Sequence, residues 1–494
     1  MLLPSYVPNP ARNRFVVFCV LCLCAVPFPS AHAQAKSDSE RLEKLERAVE
    51  LLQKRNAELE QEVQSLKKQK SPNTVSASAA TPLATEKRSH FTPDSKSYVE
   101  KTEVKEEKRP VFVVPGASEI KLVLGGLLQT QYEAGDVSAF EGRFGSAAID
   151  DRFRLRRMRI SVTGDFAEQF DFKLEGEFAQ SDTTLTVRDE TNRLLASNST
   201  RTSFGGLDLW ANWHQFPEFQ IKFGQYKAPF GFEQLSSDPK LLTAERSQVT
   251  SALTPERQIG VQFWGKPFAS ILPEQKDLVT YYAGIFNGNG RNVAVNDNDE
   301  YMFAGRLEVQ PWTGKISGTD AWLKFGGNAL SSRDAAGTVL SPAGSLRVNS
   351  DGSLSAFAAL SAAERQGYGF DAAFHWGPFD LTGEYLSESY EGRTVNGVMP
   401  TFSDFRAEGY YVQGGYFIVP KRLQVVTKYE HFNPGQIISD NLDSITGGLT
   451  YYVRGDDVKL MANYIHTWSN FRDARPILGP ADFDEILLRL QIVF

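Results

Sequence analysis

From Glu119 onward, apolar and polar residues alternate with a period of two. Ile120, Leu122, Leu124 and Leu128 alternate with Lys121 and Gln129. Phe170, Phe172, Leu174 and Phe178 alternate with Asp171, Lys173, Glu175 and Glu177, Phe303, Leu307 and Val309 with Arg306, Glu308 and Gln310, and Leu423, Val425 and Tyr429 with Gln424, Lys428 and Glu430. Such a pattern sets one face of a strand in an apolar medium and the other in a polar one. It predicts strands at 120–132, 153–164, 169–180, 204–214, 219–227, 258–266, 277–286, 301–311, 320–328, 367–376, 378–387, 408–418, 422–431, 443–452, 458–467 and 484–494. Strands of soluble domains average about five to six residues, whereas these run to about ten, the length a tilted strand needs to cross a bilayer. The connections are short after the second, fourth, tenth and twelfth strands (Gly164-Asp165, Gln215 to Glu218, Gly377, Val419 to Lys421) and long after every odd one. A sandwich has no reason to sort its loops this way; an outer-membrane barrel does. The expected fold is all-β, a 16-stranded antiparallel transmembrane β-barrel over residues 119–494.

The period of two is missing upstream. Arg12 and Arg14, an apolar core from Phe15 to Val26 and Ala31-His32-Ala33 read as a secretory signal over 1–33. Its apolar run is well short of the ~20 residues of a spanning helix. Over 34–70 the spacing becomes three and four: Leu42, Val49, Asn56 and Val63 fall at a, and Leu45, Leu52, Leu59 and Leu66 at d. Arg41 with Glu46, Arg55 with Glu60 and Glu62 with Lys67 make g-to-e pairs of opposite sign. This predicts a parallel α-helical coiled coil on the periplasmic side, and valine at a, leucine at d and one buried asparagine favour two strands. Residues 71–118, rich in Ser, Ala, Thr and Pro and then in mixed charge, read as a flexible linker.

Composition narrows the function. A hydrophobic share of 41% and a mean hydropathy of -0.32 do not suit a helical membrane protein, while Phe 34, Tyr 17 and Gly 39 suit strands joined by tight turns. A net charge of -7 argues against nucleic-acid binding. All three cysteines, Cys19, Cys22 and Cys24, lie in the signal, so a chain cut before Gln34 has no thiol chemistry. Walker A, H-E-x-x-H and G-x-S-x-G motifs are absent, so neither an enzyme nor a cofactor is expected. Asn296 to Glu300 lacks the glycine and downstream glutamate of an EF-hand and reads as a solvated acidic loop. Trp210, Trp213, Trp264, Trp312, Trp322, Trp376 and Trp468 fall near predicted strand ends, where an interfacial girdle would sit.

The candidate chemistry is electrostatic. Arg152, Arg154, Arg156, Arg157 and Arg159 crowd one strand, with Phe153, Leu155, Met158, Ile160 and Val162 for lipid. The apolar phase slips between Leu155 and Met158, which suggests a bulge. Arginine facing lipid costs ~2–4 kcal/mol at the midplane, so most of these side chains are expected in the lumen. There they either concentrate anions or pair with acids such as Asp171, Glu175 and Glu177 to brace the barrel. Lys222 and Lys227 lead into the third long loop, Arg257 leaves it, and Arg306 completes the candidate anion-binding set. A loop this long, carrying Pro229, Phe230, Glu245 and Arg246, is unusual unless functional and is expected to form the constriction.

Arg154 to Arg159, Gly224-Gln225-Tyr226-Lys227 with Pro229-Phe230, Glu245-Arg246-Ser247, Pro255 with Arg257, Ile259-Gly260-Val261 and Gly284 to Gly290 together resemble the phosphate-selective porin O and P family, over roughly Ile120 to Phe494. The resemblance implies a trimeric barrel in the outer membrane of a Gram-negative bacterium, passing small anions, phosphate or polyphosphate among them. The expected partners are outer-membrane lipid, small anionic solutes, further copies in a homo-trimer, and the barrel assembly machinery, whose signal the tail ending in Phe494 resembles. Peptidoglycan joins them if the coiled coil binds the cell wall. A general or cation-preferring porin, or a barrel anchor tethering the outer membrane to the wall, is the alternative.

Overall fold

The computed structural model describes residues 111–114, 120–136, 151–179, 181–188, 194–202, 204–296, 298–333, 346–348, 354–356, 362–394, 404–435, 441–474 and 480–494. The expected signal, coiled coil and nearly all of the linker lie outside them. Sixteen strands make the wall: β1 (Ile120–Gly135), β2 (Arg152–Phe166), β3 (Phe170–Glu177), β4 (Gly205–Phe216), β5 (Phe219–Lys227), β6 (Arg257–Gly265), β7 (Val279–Phe286), β8 (Met302–Ile316), β9 (Thr319–Ser332), β10 (Ala362–Trp376), β11 (Phe379–Thr394), β12 (Phe405–Val419), β13 (Leu423–Asn433), β14 (Leu442–Arg454), β15 (Val458–Ser469) and β16 (Asp482–Val493). Each pairs antiparallel with the next, and β16 returns to β1, from Leu127 opposite Val493 to Gly135 opposite Glu485. Closure removes every free edge from lipid, which a membrane-spanning sheet requires. The Val111–Val114 segment, at the end of the expected linker, pairs with Ile120–Val123. It occupies the position next to β1 that β16 leaves beyond Phe494, whose N–H and carbonyl exchange bonds with Gly126 (3.1 and 2.7 Å).

All sixteen predicted strands are present, and β9 to β12 run several residues longer at their long-loop ends than the alternation foretold. The reason is chemical. There the inward positions are apolar as well (Leu330, Leu386, Tyr390, Phe405, Ala407), so the period of two fades before the strand does. Elsewhere the outer face carries Leu155, Met158, Ile160, Phe223, Phe303, Phe325 and Leu488, all exposed to lipid.

The tryptophan girdle is only partly as expected. Trp312, Trp376 and Trp468 are exposed, but Trp264 and Trp322 are buried on the inner face. Trp264 lies 6.1 Å from Tyr282 in a stacked pair, and Trp322 stacks 5.7 Å from His375. Closeness to a strand end fixes height along the barrel axis, not the face; parity within the strand fixes the face.

Candidate functional site: a loop held across the lumen

The third long loop, L3, leaves β5 at Ala228 and returns at Glu256. Its frame is set by the motif at its root. Gly224 has a φ of 120°, and a Cβ there would press against the Leu209 carbonyl and the Trp210 backbone on β4. Gln225 Nε2 donates to the Leu207 carbonyl at 2.8 Å, and its Oε1 accepts the Asn292 N–H at 2.7 Å. The Ala228 N–H donates to the Glu256 carbonyl at 3.0 Å and closes the neck. Beyond it, Phe230 is fully buried and Pro229 is buried beside it. L3 then forms α1 (Phe232–Leu235), a 3-10 turn (Asp238–Lys240) and α2 (Gln248–Leu253), whose N-cap Ser247 Oγ accepts the Thr250 N–H at 3.0 Å.

Two different chemistries pin L3 to the wall. On one side the wall offers carboxylates to the loop's backbone. Glu384 on β11 accepts the N–H groups of Phe232 (2.5 Å) and Glu233 (3.2 Å) and the Tyr411 hydroxyl (3.0 Å). Glu430 on β13 accepts the Gln248 N–H at 2.8 Å. These bonds satisfy amides that the first turn of a helix leaves without partners. Next to them Phe230, Val249, Ala252 and Leu253 join Phe286, Leu330, Leu386, Tyr390, Phe405 and Phe432 in a buried apolar cluster. This fills the lumen on the long-loop side of β7 to β14.

On the other side the wall offers cations to the loop's carboxylates. The bulge expected on β2 is present: Gln129 faces Arg157 and Thr130 faces Leu155, leaving Arg156 as the extra residue. Both Arg156 and Arg157 therefore turn inward. Arg156 grips Glu245 in a bidentate pair (2.7 and 3.0 Å), and Arg489 from β16 reaches the same carboxylate. Arg157 contacts Asp238 (3.2 Å) and Gln129 (2.7 Å), and Arg159 contacts Asp238 and Glu177 (2.7 Å). Arg246, from the loop itself, closes on Asp238 at 2.5 Å. Arg152 and Arg154 sit nearer the long loops and share Glu133, at 2.7 and 3.2 Å.

The remaining candidates are dispersed. Lys227 donates to the Ser236 carbonyl of L3 at 2.9 Å, and Arg257 binds Asp208 at 2.6 Å. Arg306 lies away from this group, bidentate on Asp371 (2.7 and 3.0 Å) within the wall. Lys222 faces inward, with Nζ 4.3 Å from the Trp210 ring. Of the acids weighed as braces, Glu177 takes Arg159, Glu175 takes Lys173 (3.1 Å) and Asp171 accepts from Asn212 (2.8 Å). Asp238, Glu384, Glu430 and Arg489 were not foreseen. Arg489 was legible, since Glu485, Leu487, Arg489 and Gln491 are the inward phase of the last strand. Asp238 lies in an aperiodic loop, where no spacing points to a partner.

A profile of the family described as phosphate-selective porin O and P matches residues 128–494. The chain belongs to that family. It is an outer-membrane porin by family, with L3 held inside its barrel. An uncharacterized protein of Aquifex aeolicus (strain VF5) is 24% identical over 290 residues, 54% of this chain; the chain spans 64% of that protein's length. Among solved structures, OmpT of Vibrio cholerae aligns at 10% identity over 78% of this porin and 100% of that chain, with a TM-score of 0.45. The channel DcaP of Acinetobacter baumannii aligns at 12% identity over 76% and 97%, with a TM-score of 0.43.

The buried carboxylates of L3 in this porin answer to pH in opposite directions. Burial alone would push the Asp238 carboxyl up, but Arg157, Arg246 and Arg159 outweigh it and hold it well below the usual carboxylate range. Glu245 is likewise held well below its ordinary value, burial being overcome by Arg156, Arg489 and Arg157. Glu233 is pushed up by burial, against Lys428 and the Ser247 N–H. A depressed carboxyl stabilises the folded state fully above its unfolded pKa of about 4, and loses that contribution only as pH falls through the depressed value. A raised one destabilises the folded state while ionised, and acid relieves that cost. Protease cleavage within L3 should therefore stay flat or fall from about pH 7 to 5 and rise only below about 4. An onset between 7 and 5 would mean that Asp238 and Glu245 are not the anchors.

Proposed function

We propose that this porin passes small anions between the Thr243–Arg246 segment of L3 and the wall formed by β1, β2 and β13 to β16. A recess there is lined by Gln131, Glu133, Arg154, Arg156, Glu245 and Lys428, among others. The observation that carries the reading is an asymmetry. The arginine strand and Arg489 border this recess, which Glu133, Glu430 and Glu485 also line, whereas Glu384 across the lumen is engaged by L3 amides beside an apolar seal. Guanidinium groups on a low-dielectric wall raise the local concentration of anions even when paired, provided cations outnumber acids along the path. Because Arg156, Arg157 and Arg159 already hold Glu245 and Asp238, they act on a passing ion as a field more than as vacant chelators. This favours general passage of small anions over capture of phosphate. We further propose that residues 34–70 form a coiled coil in the periplasm, that the barrel is a homo-trimer, and that Phe494 is the residue read by the assembly machinery.

The test is the reversal potential of the purified porin in planar bilayers under a KCl gradient, repeated with phosphate. The expected result is chloride preference, shrinking near 1 M salt where the Debye length is ~3 Å, with only weak block by phosphate. Cation preference would overturn the reading, and strong phosphate block would restore the phosphate-selective one.

A further inference from the structure

Among the nine cations singled out on the sequence, eight donate to a carboxylate or a carbonyl. Lys222 is different: its Nζ has no hydrogen bond or ion pair among the described residues. It is half-buried, inward-facing, and on the short-turn side of L3, five residues before Lys227. Three rings surround the ammonium, Trp210 at 4.3 Å, Tyr226 at 5.5 Å and Trp264 at 5.8 Å. Tyr226 and Trp264 are buried, whereas Trp210 keeps part of its surface open. The polar groups nearby are committed. Asn212 donates to Asp171 (2.8 Å) and Gln220 (3.2 Å), and its own oxygen accepts the Trp264 Nε1–H (2.9 Å).

We propose that Lys222 and Trp210 form a subsite, reached from the periplasmic side, for carboxylates with a planar apolar body. One ammonium on ring faces suits a single monoanionic group, because ring quadrupoles hold the cation in place without neutralising it. Inorganic phosphate needs several donors at once, and the neighbouring donors are taken. The carboxylate pairs with Nζ while its body lies along Trp210. Asp171 and Asp208 stand within electrostatic reach of Lys222, which keeps binding weak enough for release. This subsite rests on the anion reading above.

The test adds benzoate, acetate or inorganic phosphate to one side of a bilayer holding the full-length porin in KCl. Benzoate on the periplasmic side should block at a concentration at least tenfold lower than acetate or phosphate, and more strongly than from the opposite side. Lys222→Met should remove the benzoate block, and Trp210→Leu should weaken benzoate while leaving acetate unchanged. Block by phosphate as strong as by benzoate, or an unchanged benzoate block in Lys222→Met, would overturn the subsite. The wild-type sidedness needs no variant, so a misfolded Lys222→Met leaves the inference testable. Chloride preference with no Lys222 effect sinks the subsite alone, whereas cation preference in the wild type sinks the anion reading itself.

Discussion

Asp238→Asn combined with Glu245→Gln should make the channel far more anion-selective, by about tenfold in permeability ratio at 0.1 M salt. The substitutions keep shape and remove the two loop carboxylates that neutralise Arg156, Arg157, Arg159, Arg246 and Arg489. A unit charge about 6 Å from a permeating ion in a water-like dielectric is worth about 0.7 kcal/mol, roughly threefold, so two such changes multiply to about ten. The gain should collapse near 1 M salt. A second consequence follows from burial. Leaving guanidinium groups inside without counter-charges costs up to about 3–5 kcal/mol per broken pair, less where lumenal water reaches them, so L3 should also loosen and current noise should rise. Unchanged selectivity in a folded double variant would place the ion path away from the arginine strand.

That experiment turns on residues of unequal legibility. The sixteen strands could be read because a barrel wall separates lipid from water along its whole length, which writes a period of two into the sequence. The bulge at Arg156 could be read for the same reason, as a slip in that period. The motif around Gly224 to Gly231 was legible as important but not as to its role. In the structure Gly224 and Gln225 brace the root of L3, while its grip on the wall comes from the ion pairs of Asp238 and Glu245 and from the loop amides that Glu384 and Glu430 accept. Those contacts join positions up to 244 residues apart, and nothing periodic records them. The apolar inner surface of β7 to β14 was hidden by the assumption that a lumen is polar. Leu386, Phe405 and Phe432 look inward because L3 covers them.

The apolar seal predicts a change of opposite sign. Phe230→Ala with Leu253→Ala should increase conductance and move selectivity towards cations. Phe230 and Leu253 are both fully buried in the cluster between α2 and the wall. Truncating one such residue costs about 2–5 kcal/mol through lost burial and the cavity left behind. The arginine anchors remain in the double variant, so L3 should swing on them and part from β11 to β13. Water would then reach Glu384 and Glu233, and Glu384, like Glu430 beside the recess, would lose the loop amides it accepts. Carboxylates freed into a second path draw cations, which pulls the reversal potential against the arginine strand. The two double variants thus test the same division of the lumen from opposite sides. If Phe230→Ala with Leu253→Ala raised conductance and anion selectivity together, the acidic wall would have no part in the channel's charge balance. If conductance did not change, the carboxylate–amide bonds alone would be enough to hold L3, and the apolar cluster would be filling rather than fastening.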